Sequence, residues 1–170
     1  MVAGVLLVAG VPALAGCGGP SPTPERVQTC LAERGDVNGA DQLVAGSTDV
    51  SAITPEQTEA LGKALEGATQ AISMGSGGPS ADTDGVADAP LRITELHFFP
   101  DAAAAQRAAD VISPTVGPPD QSVLNGVRAL GPVLVVHYAI GMGNRPGGIT
   151  IERDLKPVED CLREAGYPSS

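Results

Sequence analysis

The chain has 170 residues, with 20 acidic against 10 basic side chains, a formal net charge of −10, three Cys, two His and no Trp. That length holds one or at most two small domains. The acid excess excludes a nucleic-acid footprint and charge-driven docking on anionic lipid, both of which need basic surface. An apolar fraction of 42% still supplies a core, with Ala and Val standing in for the missing aromatics. At the amino terminus, residues 1–16 read MVAGVLLVAGVPALAG and contain no polar side chain. As a helix rising about 1.5 Å per residue they reach about 24 Å, short of the roughly 30 Å hydrocarbon core of a bilayer. Such a run suits a cleavable signal segment better than a permanent span.

The run ends in Leu14-Ala15-Gly16-Cys17. These four residues resemble the lipobox of bacterial lipoproteins, although no Lys or Arg precedes the apolar run. The resemblance implies that residues 1–16 are removed, that Cys17 becomes the first residue, and that it carries palmitate-type acyl chains. A chain so modified is anchored to the outer face of the cell membrane without spanning it, since each buried CH₂ contributes about 0.8 kcal/mol. Residues 17–24 then form a tether: alternating Pro in Gly18-Gly19-Pro20-Ser21-Pro22-Thr23-Pro24 favours an extended, semi-rigid spacer. Its seven steps reach about 23 Å.

With Cys17 assigned to lipid, Cys30 and Cys161 remain. In an exported protein two such residues pair. Val27-Gln28-Thr29-Cys30-Leu31 through Gly35 and Val158-Glu159-Asp160-Cys161-Leu162 through Gly166 share the pattern V-x-x-C-L-x-x-x-G. Val, Cys and Leu fall on one helical face and Gly stands at a left-handed cap, so each Cys sits on a short amphipathic helix. A bond across 131 residues joins the first helix to the last and contributes at most about 5 kcal/mol in the chain-entropy model. A metal pair or a redox motif lacks support, because there is no C-x-x-C and the two His are distant.

Between the cysteines the pattern is α+β. Thr54-Pro55-Glu56-Gln57 starts a helix, and Leu61, Leu65, Ala68 and Ile72 extend its apolar stripe over 55–73. Residues 74–90, rich in Gly, Ser, Asp and Pro, read as a mobile loop. Leu91–Phe99 reads as a strand and Asp101–Ile112, with four successive Ala, as a helix close to a sheet. Val123–Leu130 and Val133–Ala139, broken by Gly131-Pro132, form a hairpin whose second strand is central, with both faces covered. Residues 36–53 are ambiguous, with an irregular strand near Leu43. The expected architecture is a single compact domain over 25–168: a small antiparallel sheet with helices packed on one face, the first and last joined by the disulfide. Part of it resembles a ferredoxin-like layout, an analogy that carries no function.

Candidate chemistry is thin. His97 and His137 lie in predicted strands and, facing one another with Glu95 or Glu152, would bind a metal or move protons. A catalytic metal needs three protein ligands, so the favoured reading is two half-buried strand histidines bonded to backbone. Asp82-Thr83-Asp84-Gly85 with Asp88 opens like a calcium loop but lacks the later ligands. Gly141-Met142-Gly143-Asn144-Arg145-Pro146-Gly147-Gly148 lacks the spacing of a phosphate loop. The arrangement of lipobox, Pro-rich tether and compact domain with paired cysteines near its ends is similar to small actinobacterial lipoproteins, which implies a place in the envelope. The expectation is therefore a lipid-anchored, non-enzymatic module without metal or cofactor, binding an envelope protein or small ligand, with loops 74–90 and 141–148 as contact surfaces. The alternatives are a cell-envelope hydrolase using His97 or His137, or a structural envelope component without a ligand.

Overall fold

The computed structural model describes residues 22–34, 40–48, 50, 53–78, 89–117, 123–140 and 151–168. In chain order these form α1 (Pro24–Glu33), β1 (Ala40–Leu43), α2 (Pro55–Leu65), β2 (Gln70–Gly78), β3 (Ala89–Phe98), α3 (Ala102–Ile112), a 3-10 turn at Ser113–Thr115, β4 (Leu124–Leu130), β5 (Val133–Ile140) and α4 (Ile151–Glu164). Cys17 and the segments 79–88 and 141–150 lie outside the described residues.

The helices begin where capping chemistry allows. The Thr54 hydroxyl accepts from the Gln57 backbone N–H at 3.2 Å, and the Gln57 side chain accepts from the Thr54 N–H at 3.1 Å. This reciprocal box, with Pro55 at the first helical position, fixes the start of α2. At α3 the Asp101 carboxylate accepts from the Ala104 N–H at 2.7 Å. Helix α4 closes at Gly166 (φ +91°), with the Tyr167 N–H reaching the Leu162 carbonyl and the Gly166 N–H reaching that of Arg163. That is the paired bond pattern a left-handed glycine cap permits.

All strand pairs are antiparallel, in the order β1-β2-β3-β5-β4. Helix α2 is shorter than the stripe predicts: it stops at Leu65, Gly67 follows, and Gln70 already begins β2. Ile72 is thus a strand residue, its side chain facing the core by alternation with Ala71 and Ser73. The expected loop at 74–90 is likewise strand as far as Gly78 and again from Ala89. Gly75 and Ser76 have weak strand propensity, yet the β3 ladder pairs them with Ile93 and Arg92. The irregular strand near Leu43 is β1, paired with Ala71–Met74.

Alternation along β5 builds two cores. Val133 and Val135 join Ile72, Met74, Leu96 and Phe98 beneath α1 and α4. Leu134, Val136 and Tyr138 join Leu61, Leu65, Ala105, Ala108 and Ile112 beneath α2 and α3. The α+β class, the antiparallel sheet and the disulfide between first and last helices match the sequence expectation, while the single helical layer becomes one layer on each face. Small Ala side chains let α3 sit close to the sheet.

Cys30 and Cys161 are bonded with Cα atoms 5.6 Å apart. An exposed ion-pair group flanks the bond: Arg34 pairs with Glu164 and Asp160, and Asp160 also receives Lys156 and Arg163. Such surface pairs contribute little. Reduction of the bond is therefore expected to lower the unfolding free energy by about 2–5 kcal/mol, read as a lower urea midpoint for the reduced than the oxidised chain. Coincident curves would show that packing alone holds α1 on α4.

Candidate functional site

The sheet carries one concentrated group of buried polar side chains among the described residues. On β3, Leu96 and Phe98 face the α1/α4 core, so Glu95 and His97 face the other way, two residues apart and side by side. Both are 0% exposed. Register places Val136 opposite Glu95 and Tyr138 opposite Ile93, which makes Tyr138 a same-face diagonal neighbour of Glu95. Thr48, in the segment after β1, completes the group.

The contacts converge on one carboxylate. Thr48 Oγ1–H donates to Glu95 Oε1 at 2.8 Å, and the Tyr138 hydroxyl donates to Oε2 at 3.0 Å. His97 Nε2 lies 3.2 Å from the same Oε2 and donates to it in the tautomer protonated at that nitrogen. Thr48 Oγ1 in turn accepts from the Val50 N–H at 3.2 Å. A buried carboxylate without such donors would cost several kcal/mol, so this convergence is what makes Glu95 tolerable in the core. Burial first, and then the Glu95 carboxylate beside it, push the Tyr138 hydroxyl far above its ordinary pKa of 10.0. The phenol stays protonated as a donor. His97 Nδ1 is buried and has no hydrogen-bond partner among the described residues.

His137 belongs to a different place. Thr94 stands opposite it in the ladder and His97 opposite Leu134, so the histidines are offset by an odd number of residues and project from opposite faces. They do not face one another, as the metal or proton-relay reading would require. Nor are they half-buried: His97 is 0% and His137 1% exposed, and His137 Nδ1 lies 2.8 Å from a side-chain oxygen, Thr94 Oγ1. Beside it the β4 ladder shifts between Leu124 and Gly126, which leaves Asn125 as an extra residue. The Asn125 amide is buried without a hydrogen-bond partner among the described residues. No group of three or more His, Cys, Asp or Glu side chains among the described residues could hold a metal ion. Glu95 and His97 are two such ligand types, and the lone pairs of Glu95 are engaged by hydroxyl donors.

The side chain of Glu152, the acidic run from Asp82 to Asp88 and the Gly141–Gly148 segment lie outside the described residues. The E-x-H spacing in β3 was readable as a same-face pair. Tyr138 was hidden inside an apolar run and Thr48 inside an ambiguous stretch, so the third and fourth members carried no local signal. A second feature lies on the other side of the molecule: a groove of about 360 Å³ between α1 and α4, lined by Glu25, Glu33, Glu164 and Cys30. No family model, curated protein or solved structure matches the chain.

Two outcomes test the buried cluster. Glu95→Ala strips the acceptor from buried donors and is expected to destabilise the fold by about 3–5 kcal/mol. Tyr138→Phe removes one donor and costs about 1–3 kcal/mol; equal, negligible shifts in urea midpoint would mean that the group is not sealed. The only two tyrosines also titrate late. Tyr167 is pushed up to about 12 by partial burial and by Glu25. Because both phenols ionise more easily when unfolded, their contribution to stability is complete below pH 10 and is lost as pH rises beyond it. Phenolate absorbance of the native protein should therefore stay flat through pH 10 and rise at about 12 and on unfolding.

Proposed function

We propose that the chain is an extracytoplasmic lipoprotein of the cell envelope, held at the outer face of the membrane by acyl chains on Cys17. Its α+β domain then serves as a non-enzymatic binding module for an envelope protein or a small ligand. The observation that carries the reading is the bond between Cys30 and Cys161. Disulfides of this kind persist in oxidising compartments and are rare in the cytosol. With those two sulfurs joined, Cys17 is the remaining cysteine, and it directly follows an apolar run ending Leu14-Ala15-Gly16. Two or three acyl chains give stable attachment, whereas one gives only marginal binding.

Burial favours binding over catalysis. A general acid or base must come within hydrogen-bond reach of its substrate. His97 is 0% exposed and His137 1%, and each is engaged by a neighbouring side chain. A hydrolase built on either would have to part a helical layer from the sheet.

Fractionation of cells carrying Cys17→Ser tests the anchor. The variant is expected in the soluble extracytoplasmic fraction, while the wild type stays with the membrane and its amino-terminal peptide gains acyl mass. A membrane-bound wild type that retains residues 1–16 and lacks the acyl mass, or free cytosolic protein with the leader intact, overturns the reading.

A further inference from the structure

The two sulfurs of the disulfide are unequally placed. Cys161 is 0% exposed within the α1/α4 core, among Val27, Leu31, Leu155 and Val158. Cys30 is half-buried and opens onto the groove between the helices, whose walls include Glu25, Arg26, Thr29, Glu33 and Glu164. Glu164 Oε2 stands 3.3 Å from Cys30 Sγ. A disulfide sulfur carries no hydrogen, so this is an anionic oxygen resting against sulfur and not a hydrogen bond. The other Glu164 oxygen pairs with Arg34. Three carboxylates and the Arg26 guanidinium thus line the entrance, and Arg34 adds a second guanidinium through its pair with Glu164.

We infer that Cys30 is a thiol-exchange site, attacked in preference to Cys161 and selective for small thiols that are neutral or positively charged. The thiol ionises, its thiolate forms a new S–S bond to Cys30, and the Cys30–Cys161 bond breaks with its electron pair leaving on Cys161. The proton shed by the thiol ends on Cys161, giving a mixed disulfide at Cys30 and a thiol at Cys161. A second thiolate displaces Cys30 and releases the oxidised small disulfide, so two thiols are oxidised as the protein bond is reduced. The buried sulfur cannot be approached in the folded chain, and its apolar surroundings disfavour the thiolate, so it leaves slowly. The one-carboxylate excess at the entrance, within a chain of formal net charge −10, lowers the local concentration of anionic thiolates and raises that of cationic thiols. None of this depends on lipid attachment.

The oxidised full chain is treated with cysteamine, 2-mercaptoethanol or 2-mercaptoethanesulfonate, quenched in acid and mapped by mass spectrometry. Rates are compared per thiolate after correction for thiol basicity. The expected adduct is on Cys30, with cysteamine faster than the sulfonate by about tenfold at low salt. That ratio should fall to about twofold in high salt and in the Glu33→Gln, Glu164→Gln double variant; the salt series on the wild type stands alone if that variant does not fold. An adduct on Cys161, equal rates for cationic and anionic thiols, or rates that all rise together with urea as the chain unfolds would each overturn the inference.

Discussion

Strand β5 has no wet face, and the rest of the molecule is arranged around that constraint. From Val133 to Ala139 every side chain is buried, with β3 on one side and β4 on the other. A sheet whose central strand is apolar on both faces must be covered twice. The two pairs of helices meet that need with different means. Helices α2 and α3 use Leu61, Leu65 and a row of Ala, whereas α1 and α4 use Val27, Leu31, Leu155 and Val158 together with a covalent bond.

The same constraint explains what was legible beforehand. The repeated V-x-x-C-L-x-x-x-G pattern announced two amphipathic helices, because helix periodicity is a local statement, and their bond followed from Cys30 and Cys161 being the two cysteines left once Cys17 is assigned to lipid. The Gly131-Pro132 break, likewise local, announced the hairpin. Strand β2 was not readable: Ala68 and Ile72 continue the stripe of α2, and only the ladder with β3 and β1 decides that residues from Gln70 onward are extended. The apolar run at Val133–Ala139 already demanded two covered faces, yet element order alone gave no way to divide four helices between them. That division is a property of register and crossover, not of any segment.

Glu95 shows how the fold handles a polar group that cannot reach water. Three side chains from three different segments meet at its carboxylate; Thr48 and Tyr138 lie 47 and 43 residues away from Glu95 in sequence, and His97 lies 2 away. Apolar packing tolerates small shifts of register; a carboxylate needing Thr48, His97 and Tyr138 at once does not. The group therefore ties the segment after β1 to one alignment of β3 and β5. On the opposite face the hydrogen bond between Thr94 and His137 fits the same alignment.

The bond between α1 and α4 also decides how the domain responds to being pulled. Tension entering through the residues before Pro24 meets α1 first and can unwind it only as far as Cys30. Beyond that point the load passes through sulfur into α4, which shares a core with Leu96, Val133 and Val135 of the sheet. Hydrogen bonds of one short helical segment would yield, and the remainder of the domain would stay shut until a covalent link or the whole sandwich gave way.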